Sequence, residues 1–178
     1  MGVYAITGSA SGMGRKVAEK LRDAGHTRIG FLGWPDGSGV GDDRRAGWWR
    51  AMSDLPGAEG LELRVEDGAE EGAAAATELL ARGATGLVCA SDSLALGALA
   101  PCIGLVTDGR VPLVGFDDTP VARALGLSSV RQPLEAAATG LIRMAIDLLD
   151  GRTPAPPQLL TPDLVLRDLA PFAQEQTL

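Results

Sequence analysis

The sequence predicts an α/β protein built on a parallel β-sheet with helices on both faces, a three-layer, Rossmann-like doubly wound arrangement. Two observations predict this class. Short apolar runs alternate along the chain with longer helical patterns that are rich in alanine and leucine. A length of 178 residues and a hydrophobic content of 46% suffice for one domain with a substantial core. We therefore expect a single domain over residues 1–178, with a tail at 170–178 that frays.

The predicted strands share a short apolar run that is bounded by turn residues. They cover 3–7, 27–33, 61–65, 86–90, 112–116, 128–132 and 164–166. The run at 61–65 alternates apolar and charged residues, which predicts an edge strand. The run at 86–90 is continuously apolar, which predicts a strand that is buried on both faces.

The predicted helices share apolar residues at spacings of three and four. They cover 13–21, 44–52, 70–82, 94–99 and 134–149, and Pro101 is expected to bend or interrupt the fourth. The helix Leu134–Leu149 carries a broad apolar stripe, which is costly to leave in water. We expect this stripe to fold back onto the sheet of a monomer. A homodimer formed through 134–149 is the alternative.

Composition and charge exclude several classes of partner. The net charge is −7 and the basic residues form no cluster, which argues against binding to nucleic acid. One histidine and two cysteines give no spacing that suits a metal site. The sequence has no signal peptide and no long apolar segment, so we expect no membrane partner and a soluble, cytoplasmic protein, recombinant if engineered.

A glycine-rich segment stands directly after the first predicted strand, and a helical pattern follows it. The segment is Thr7-Gly8-Ser9-Ala10-Ser11-Gly12-Met13-Gly14. Glycines let a backbone turn tightly and approach a ligand, and the free N–H groups of a helix N-terminus favour an anion such as a pyrophosphate. The residues of such a cofactor site would be Gly8, Ser9, Ser11, Gly12, Met13 and Gly14. The alternative is a strand-to-helix turn that uses glycine only for its geometry.

The same segment resembles the cofactor loop, Thr-Gly-x-x-x-Gly-x-Gly, of the short-chain dehydrogenase/reductase family, and the resemblance covers residues 2–26. It implies binding of NAD or NADP. The family's catalytic Tyr-x-x-x-Lys is impossible here, because Tyr4 is the only tyrosine and no lysine follows it at that spacing. The carboxylate that holds the adenosine ribose is also missing, since Leu32 stands at about its position. We therefore expect no catalytic residues, no required cofactor, and at most weak binding of NAD or NADP.

From Gly25 onward the chain resembles a second family, the lac-repressor/galactose-repressor regulators. The segments that carry the resemblance are Arg28–Gly33, Arg44–Trp48, Ala90–Ala98, Val114–Thr119, Ser129–Pro133 and Asp163–Asp168. Their order and spacing fit the C-terminal lobe of the family's effector-binding module, which has a periplasmic-binding-protein-like fold. The helix-turn-helix, the hinge helix and most of the N-terminal lobe have no counterpart in the sequence, so the resemblance implies no nucleic-acid partner for this chain.

In that family a sugar or small metabolite lies in the cleft between two lobes, and the resemblance assigns effector contacts on this lobe to Arg44, Ser91 and Asp117. A guanidinium and a carboxylate at strand ends can bind hydroxyl groups from several directions. Each residue also has a structural alternative. Arg44 can be a solvated arginine at a helix start, Ser91 an N-cap, and Asp117 a carboxylate that organises its loop.

Together the two resemblances favour an engineered chimeric scaffold with no retained activity, in which residues 1–26 are dehydrogenase-like and 27–169 repressor-like. The alternatives are a single-lobe effector-binding fragment of a transcriptional regulator and a weak dinucleotide-binding protein. In the chimera the strand Val3–Ile6 lies between Ile29–Leu32 and Leu87–Ala90, which predicts the strand order 3-2-1-4-5-6. The order 2-1-3-4-5 of an isolated repressor lobe is the alternative.

Overall fold

The computed structural model describes residues 10–156 and 160–168. Helices and strands alternate along this part of the chain, as the sequence predicts. The helices are α1 (Ala10–Asp23), α2 (Val40–Met52), α3 (Ala69–Ala81), α4 (Asp92–Thr107), α5 (Pro120–Ala124) and α6 (Leu134–Leu149), with a 3-10 turn at Ala58–Gly60. The strands are β1 (Ile29–Gly33), β2 (Glu62–Arg64), β3 (Gly86–Cys89), β4 (Leu113–Phe116), β5 (Ser128–Arg131) and β6 (Asp163–Val165).

The strands form one sheet in the order β2-β1-β3-β4-β5-β6. Neighbours pair in parallel except β6, which runs antiparallel to β5 and sets Asp163 opposite Arg131. The α/β class is therefore confirmed. The predicted order 3-2-1-4-5-6 is wrong, because β1 pairs directly with β3, with Ile29 opposite Gly86, and leaves no gap for another strand. The core has the alternative order 2-1-3-4-5, and the predicted strand Val3–Thr7 lies outside the described residues.

Helices cover both faces of the sheet. Side chains point to alternate faces along a strand, so neighbouring residues of a central strand contact different helices. Phe31 of β1 stacks on Trp48 of α2, with ring centroids 5.5 Å apart. At the neighbouring residue, Gly30, an added Cβ would lie 3.1 Å from Leu79 of α3, on the opposite face. Helices α1 and α2 pack together on one face, and α3 and α4 pack together on the other. The core of buried apolar residues lies between these layers and the sheet.

The turn predicted over Gly8–Gly14 is not formed by residues 10–14, because these residues belong to α1. Ser11, Gly12, Met13 and Gly14 are all helical. A Cβ on Gly14 would run into the carbonyl oxygen of Arg44, and a Cβ on Gly47 would run into that of Ser11. Glycine is therefore used here to let two helices approach closely, and Gly14 faces α2. Gly8 and Ser9 lie outside the described residues.

Helix α6 stands away from the sheet and does not fold back onto it. Within this helix only Ala137 is buried, whereas Leu134 is 62% exposed, Ile142 61% and Leu149 87%. The prediction that its apolar stripe covers the sheet is therefore wrong, and pairing with a second copy stays a prediction. None of the helices in residues 10–156 is long and apolar enough to cross a bilayer.

Candidate functional site

A cavity of about 390 Å³ opens at the carboxyl ends of β1 and β4, the edge where parallel α/β sheets commonly bind ligands. Residues from α1, α2, the end of β4, three loops and the segment before β6 line it. They are Ala10, Met13, Trp34, Ser38, Val40, Arg44, Phe116, Asp117, Gln132 and Pro162. The cavity thus brings together Arg44 and Asp117, two of the residues to which the family resemblance assigns effector contacts.

Arg44 lies in α2 and is only 4% exposed, so its structural alternative, a solvated arginine, is wrong. Its guanidinium is packed between two aromatic rings, with Cζ 5.3 Å from the ring centroid of Trp34 and 4.3 Å from that of Phe116. It donates to the carbonyl oxygen of Ala90 and forms an ion pair with Asp117 at 3.3 Å. Contacts of this kind stabilise a cation that has lost its water.

The electrostatic environment of Arg44 follows from that packing. Burial lowers its pKa, and the nearby carboxylate of Asp117 offsets part of the decrease. An arginine stays protonated even so, because its guanidinium is too basic to lose its proton in a protein. Within the part of the chain that the structure describes, its Nε has no hydrogen-bond partner. The site therefore holds a permanently charged guanidinium, of which one N–H group has no hydrogen-bond partner among the described residues.

Asp117 follows β4 and accepts a hydrogen bond of 2.5 Å from Nε2 of Gln132. Its backbone has φ 101°, and that of Asp118 has φ 49°. Two successive non-glycine residues with positive φ are uncommon, and such backbone persists only where the surroundings fix it. The amide of Asp117 donates to the carbonyl oxygen of Val130 at 2.9 Å. The loop thus presents the Asp117 carboxylate, 36% exposed, towards Arg44 and Gln132.

Asp118 does not line the cavity, and two arginines hold its carboxylate. Its side chain is fully buried, with Nε of Arg131 and Nη2 of Arg167 each 2.6 Å from its carboxylate. Burial works to raise the pKa of Asp118, but the hydrogen bonds and charges of Arg167 and Arg131 outweigh it and hold that pKa below its ordinary value. Asp118 therefore anchors the loop that carries Asp117.

Ser91 is the N-cap of α4, the structural role that was the alternative to an effector contact. Its Oγ accepts from the amide of Leu94 at 3.1 Å and donates to the carboxylate of Asp67. It follows Ala90, whose carbonyl takes the Arg44 hydrogen bond, but it is not one of the residues that line the cavity. An effector contact from Ser91 stays a prediction.

Three residues that line the cavity, Trp34, Phe116 and Gln132, were not assigned to it from the sequence. Each of the three comes at or just after the end of a strand. Their positions at strand ends were the available signal. That they meet in one cavity depends on the strand order, which the sequence did not predict correctly.

The dinucleotide site that the glycines predict is not supported. Met13 is 3% exposed and belongs to the core, and Gly14 packs against the backbone of α2. With Ser11 and Gly12 inside α1, no glycine-rich turn is formed by the described part of this segment. Among residues 10–156 and 160–168 no cluster of histidine, cysteine or carboxylate side chains could hold a metal ion.

Two other clefts are larger but carry less convergent chemistry. One, of about 620 Å³, runs along the edge strand β2. The other, of about 690 Å³, lies at the amino ends of the strands, near His26 and Pro112. A binding site is better indicated by buried polar groups that converge on a pocket than by volume alone. The Arg44–Asp117 cavity satisfies that criterion.

Comparison with known proteins agrees with the fold. A family model described as periplasmic binding protein-like domain matches residues 18–168. The chain belongs to this family. Among curated relatives, the transcriptional regulator MalR of Streptomyces coelicolor is 36% identical over 159 residues, which cover 83% of this chain and 46% of the relative. The regulator GalR of Escherichia coli is 34% identical over 156 residues, with the same two shares.

Solved structures point to the same group of regulators. A LacI-family regulatory protein from Chloroflexus aggregans superposes with a TM-score of 0.82 at 35% identity, over 90% of this chain and 61% of that one. A complex of the regulator CelR with cellobiose has a TM-score of 0.77 at 29% identity, over 90% and 52%. The chain spans about half the length of the curated relatives it matches. These relatives regulate transcription and are not enzymes, as the sequence predicts for this chain.

The dehydrogenase half of the chimera interpretation is not supported by these matches. The family model already begins at residue 18, inside α1. The structural matches cover 90% of the chain, more than residues 27–178 alone could supply. The findings support a regulator's effector-binding domain better than an engineered scaffold.

Proposed function

We propose that the chain is one lobe of the effector-binding domain of a LacI/GalR-type transcriptional regulator, and that its cavity binds a sugar. The observation that carries the proposal is the pair formed by the buried Arg44 and the partly exposed Asp117 at the carboxyl ends of the strands. A guanidinium offers donors only and a carboxylate acceptors only, so together they can hold adjacent hydroxyl groups in a fixed orientation.

The charges favour a neutral ligand. Arg44 is the one cation among the described residues that line the cavity, and Asp117 already pairs with it. A phosphorylated sugar would bring about two negative charges to a site with no free cation. A neutral sugar instead gains charge-assisted hydrogen bonds from both residues. The rings of Trp34 and Phe116 add apolar surface.

The chain supplies one wall of the binding cleft. Because it spans about half of its relatives, we propose that a second lobe closes the cleft and that a separate domain binds DNA. One wall makes fewer contacts than two, so the isolated chain should bind sugars weakly, with a dissociation constant of about 1 mM or more, which corresponds to about 4 kcal/mol or less.

Titration of the full chain with D-glucose, D-galactose, maltose and cellobiose tests the proposal. Cellobiose is included because the related regulator CelR has been solved with it. Amide chemical shifts of isotope-labelled protein report millimolar binding and locate it. We expect at least one sugar to perturb the amides around Arg44 and Asp117.

The neighbouring arginines provide a matched pair of variants. Arg44 faces the cavity, whereas Arg45 pairs with Glu62 of β2 at 2.5 Å and faces away from it. Arg44→Lys should weaken binding by about tenfold, because lysine cannot reproduce the planar set of donors. Arg45→Lys should leave the affinity unchanged. The proposal fails if no sugar of the panel binds, or if the two variants bind equally well.

A further inference from the structure

Behind the cavity lies a buried carboxylate that is not itself one of the residues assigned to the effector. Asp92, in the first turn of α4, is 1% exposed and is not among the residues that line the cavity. No arginine or lysine of the described residues forms an ion pair with it. Burial accordingly raises the pKa of Asp92, although the hydrogen bonds from Ser129 and Thr119 counteract part of that increase.

Both oxygens of Asp92 accept hydrogen bonds from the loop and strand beside Asp117. Oδ2 accepts from the amide of Thr119 at 2.7 Å, and Oδ1 accepts from Oγ of Ser129 at 2.6 Å. The same Ser129 Oγ accepts from the amide of Asp118 at 3.0 Å. Asp92 thus fixes the two residues that directly follow Asp117.

The backbone at this point of the loop is uncommon. Asp117 and Asp118 adopt φ 101° and 49° in succession, and neither is glycine. A conformation of this kind relaxes unless neighbouring groups hold it. The bonds to Asp92 hold the amides of residues 118 and 119, directly or through Ser129. The backbone of Asp117 is therefore trapped between its own bond to Val130 and the Asp92 network.

The absence of a side chain at Gly115 leaves space for this network. At Gly115 of β4, an added Cβ would run into Oδ1 of Asp92 and lie 3.1 Å from the Cβ of Ala95. Gly115 is thus the residue that lets the carboxylate reach Ser129. An unpaired carboxylate is costly to bury, and both of its oxygens being bonded offsets that cost.

We propose that Asp92 is a positioning residue for effector binding: it holds the Asp117 backbone in the left-handed conformation that aims the Asp117 carboxylate at Arg44 and at the ligand. The inference rests on the proposed function, since it assigns a role within the same sugar site. Asp92 itself does not touch the ligand.

A double-mutant cycle of Asp92→Asn and Asp117→Asn tests this role, with the affinity of the full chain for whichever of D-glucose, D-galactose, maltose and cellobiose binds it most tightly. Asparagine keeps the shape of Asp92 but has one acceptor fewer for the two donors. Asp92→Asn should weaken binding about three- to tenfold, the effect of one or two hydrogen bonds. In the Asp117→Asn background the same change should have almost no effect, because the Asp117 carboxylate that Asp92 positions is no longer present. Asp92→Ala should weaken binding more than Asp92→Asn does.

Two controls separate positioning from loss of stability. Cys102→Ala truncates another buried side chain of α4, far along the helix from the loop, and should lower the melting temperature without changing the affinity. The amide signals of Asp117 and Asp118 should move in Asp92→Asn and stay in place in Cys102→Ala. If Asp92→Ala does not fold, the Asp92→Asn cycle decides alone.

The outcomes distinguish the two proposals. If the wild-type chain binds none of the sugars, the proposed function fails and the role of Asp92 falls with it. If the wild type binds and Asp117→Asn weakens binding, but Asp92→Asn has no effect or an equal effect in both backgrounds, only the positioning role is overturned.

Discussion

Nη2 of Arg167 lies 2.6 Å from Oδ1 of Asp118, whose side chain is completely buried. This ion pair joins the segment after β6 to the loop after β4, and Arg131 approaches the same carboxylate at 2.6 Å. The chain therefore uses its last described residues to hold the loop that carries Asp117.

Asp118→Asn should destabilise the protein by about 2–3 kcal/mol at neutral pH, because it leaves Arg167 without its buried partner. The loss should be smaller than for a fully buried pair, since Arg131 is 49% exposed and can be hydrated. Urea unfolding at pH 7 measures the difference. A loss below about 0.5 kcal/mol, the value for a surface pair, would contradict the clamp.

The pH dependence of stability should change in the same variant. The folded-state pKa of Asp118 is held below its ordinary value by Arg167 and Arg131 against the opposing effect of burial. Its contribution is therefore present above the unfolded pKa of about 3.9 and is lost as the pH falls through the lower folded value. Between about pH 5 and pH 3 the wild type should lose more stability than Asp118→Asn does. Parallel pH series of urea unfolding would detect this, and identical slopes would contradict it.

Gly14→Ala should destabilise the protein by about 2–3 kcal/mol, because the added methyl group would run into the carbonyl oxygen of Arg44 and force α1 and α2 apart. Gly140→Ala is the matched control, since an added Cβ at this position in α6 meets nothing within 4 Å. It should be neutral or stabilise the helix by up to about 1 kcal/mol. Thermal unfolding compares the two, and an equal response would show that α1 and α2 do not cross at Gly14.

Both thiols should be unreactive in the folded protein. Burial raises the pKa of Cys89 well above its usual range and that of Cys102 to about 11, so neither is a thiolate at pH 8. A disulfide exchange reagent should label neither cysteine until denaturant is added, and then both. Fast labelling of Cys89 in the native state would mean that β3 is not the buried strand described above.

Ile142→Glu should leave the melting temperature of the isolated chain nearly unchanged, because Ile142 is 61% exposed on α6. Leu79→Glu, at a fully buried position of α3, should unfold the protein and serves as the contrasting variant. Sedimentation across a dilution series should accompany the melting curves. If the wild type dimerises and Ile142→Glu alone restores the monomer, the α6 stripe is where the copies meet. A large loss of stability in a monomer would show that α6 packs on the sheet after all.

The strands could be predicted because a short, continuous apolar run such as Leu87–Cys89 is typical of a buried strand. Their order was not, since a strand of this kind pairs equally well with several neighbours. The glycines misled for a physical reason. Gly14 at a helix crossing and a glycine in a phosphate-binding turn look identical in sequence, because both positions need only the absence of a side chain.

Within the site, Arg44 and Asp117 could be proposed from a family resemblance, and the structure places them together. The helix that carries Arg44 begins at Val40, four residues before the predicted start, because Gly39 with φ 65° serves as the N-cap and Asp42 accepts from its amide. The Asp92 network could not be found from the sequence. It joins α4, β5 and the loop after β4, and it exists only once those three elements are adjacent.

The pairing of Arg131 with Asp163 has a consequence for the length of chain that the fold needs. The chain leaves the sheet after β5, passes through α6, and returns to the point where it left, so that Gln132 and Pro162 line the same cavity. The whole excursion is thus a loop inserted between two paired strands. A two-residue Asn-Gly turn in place of residues 133–161 would join β5 and β6 as an ordinary hairpin. It would keep the Arg167 clamp and remove the exposed apolar helix.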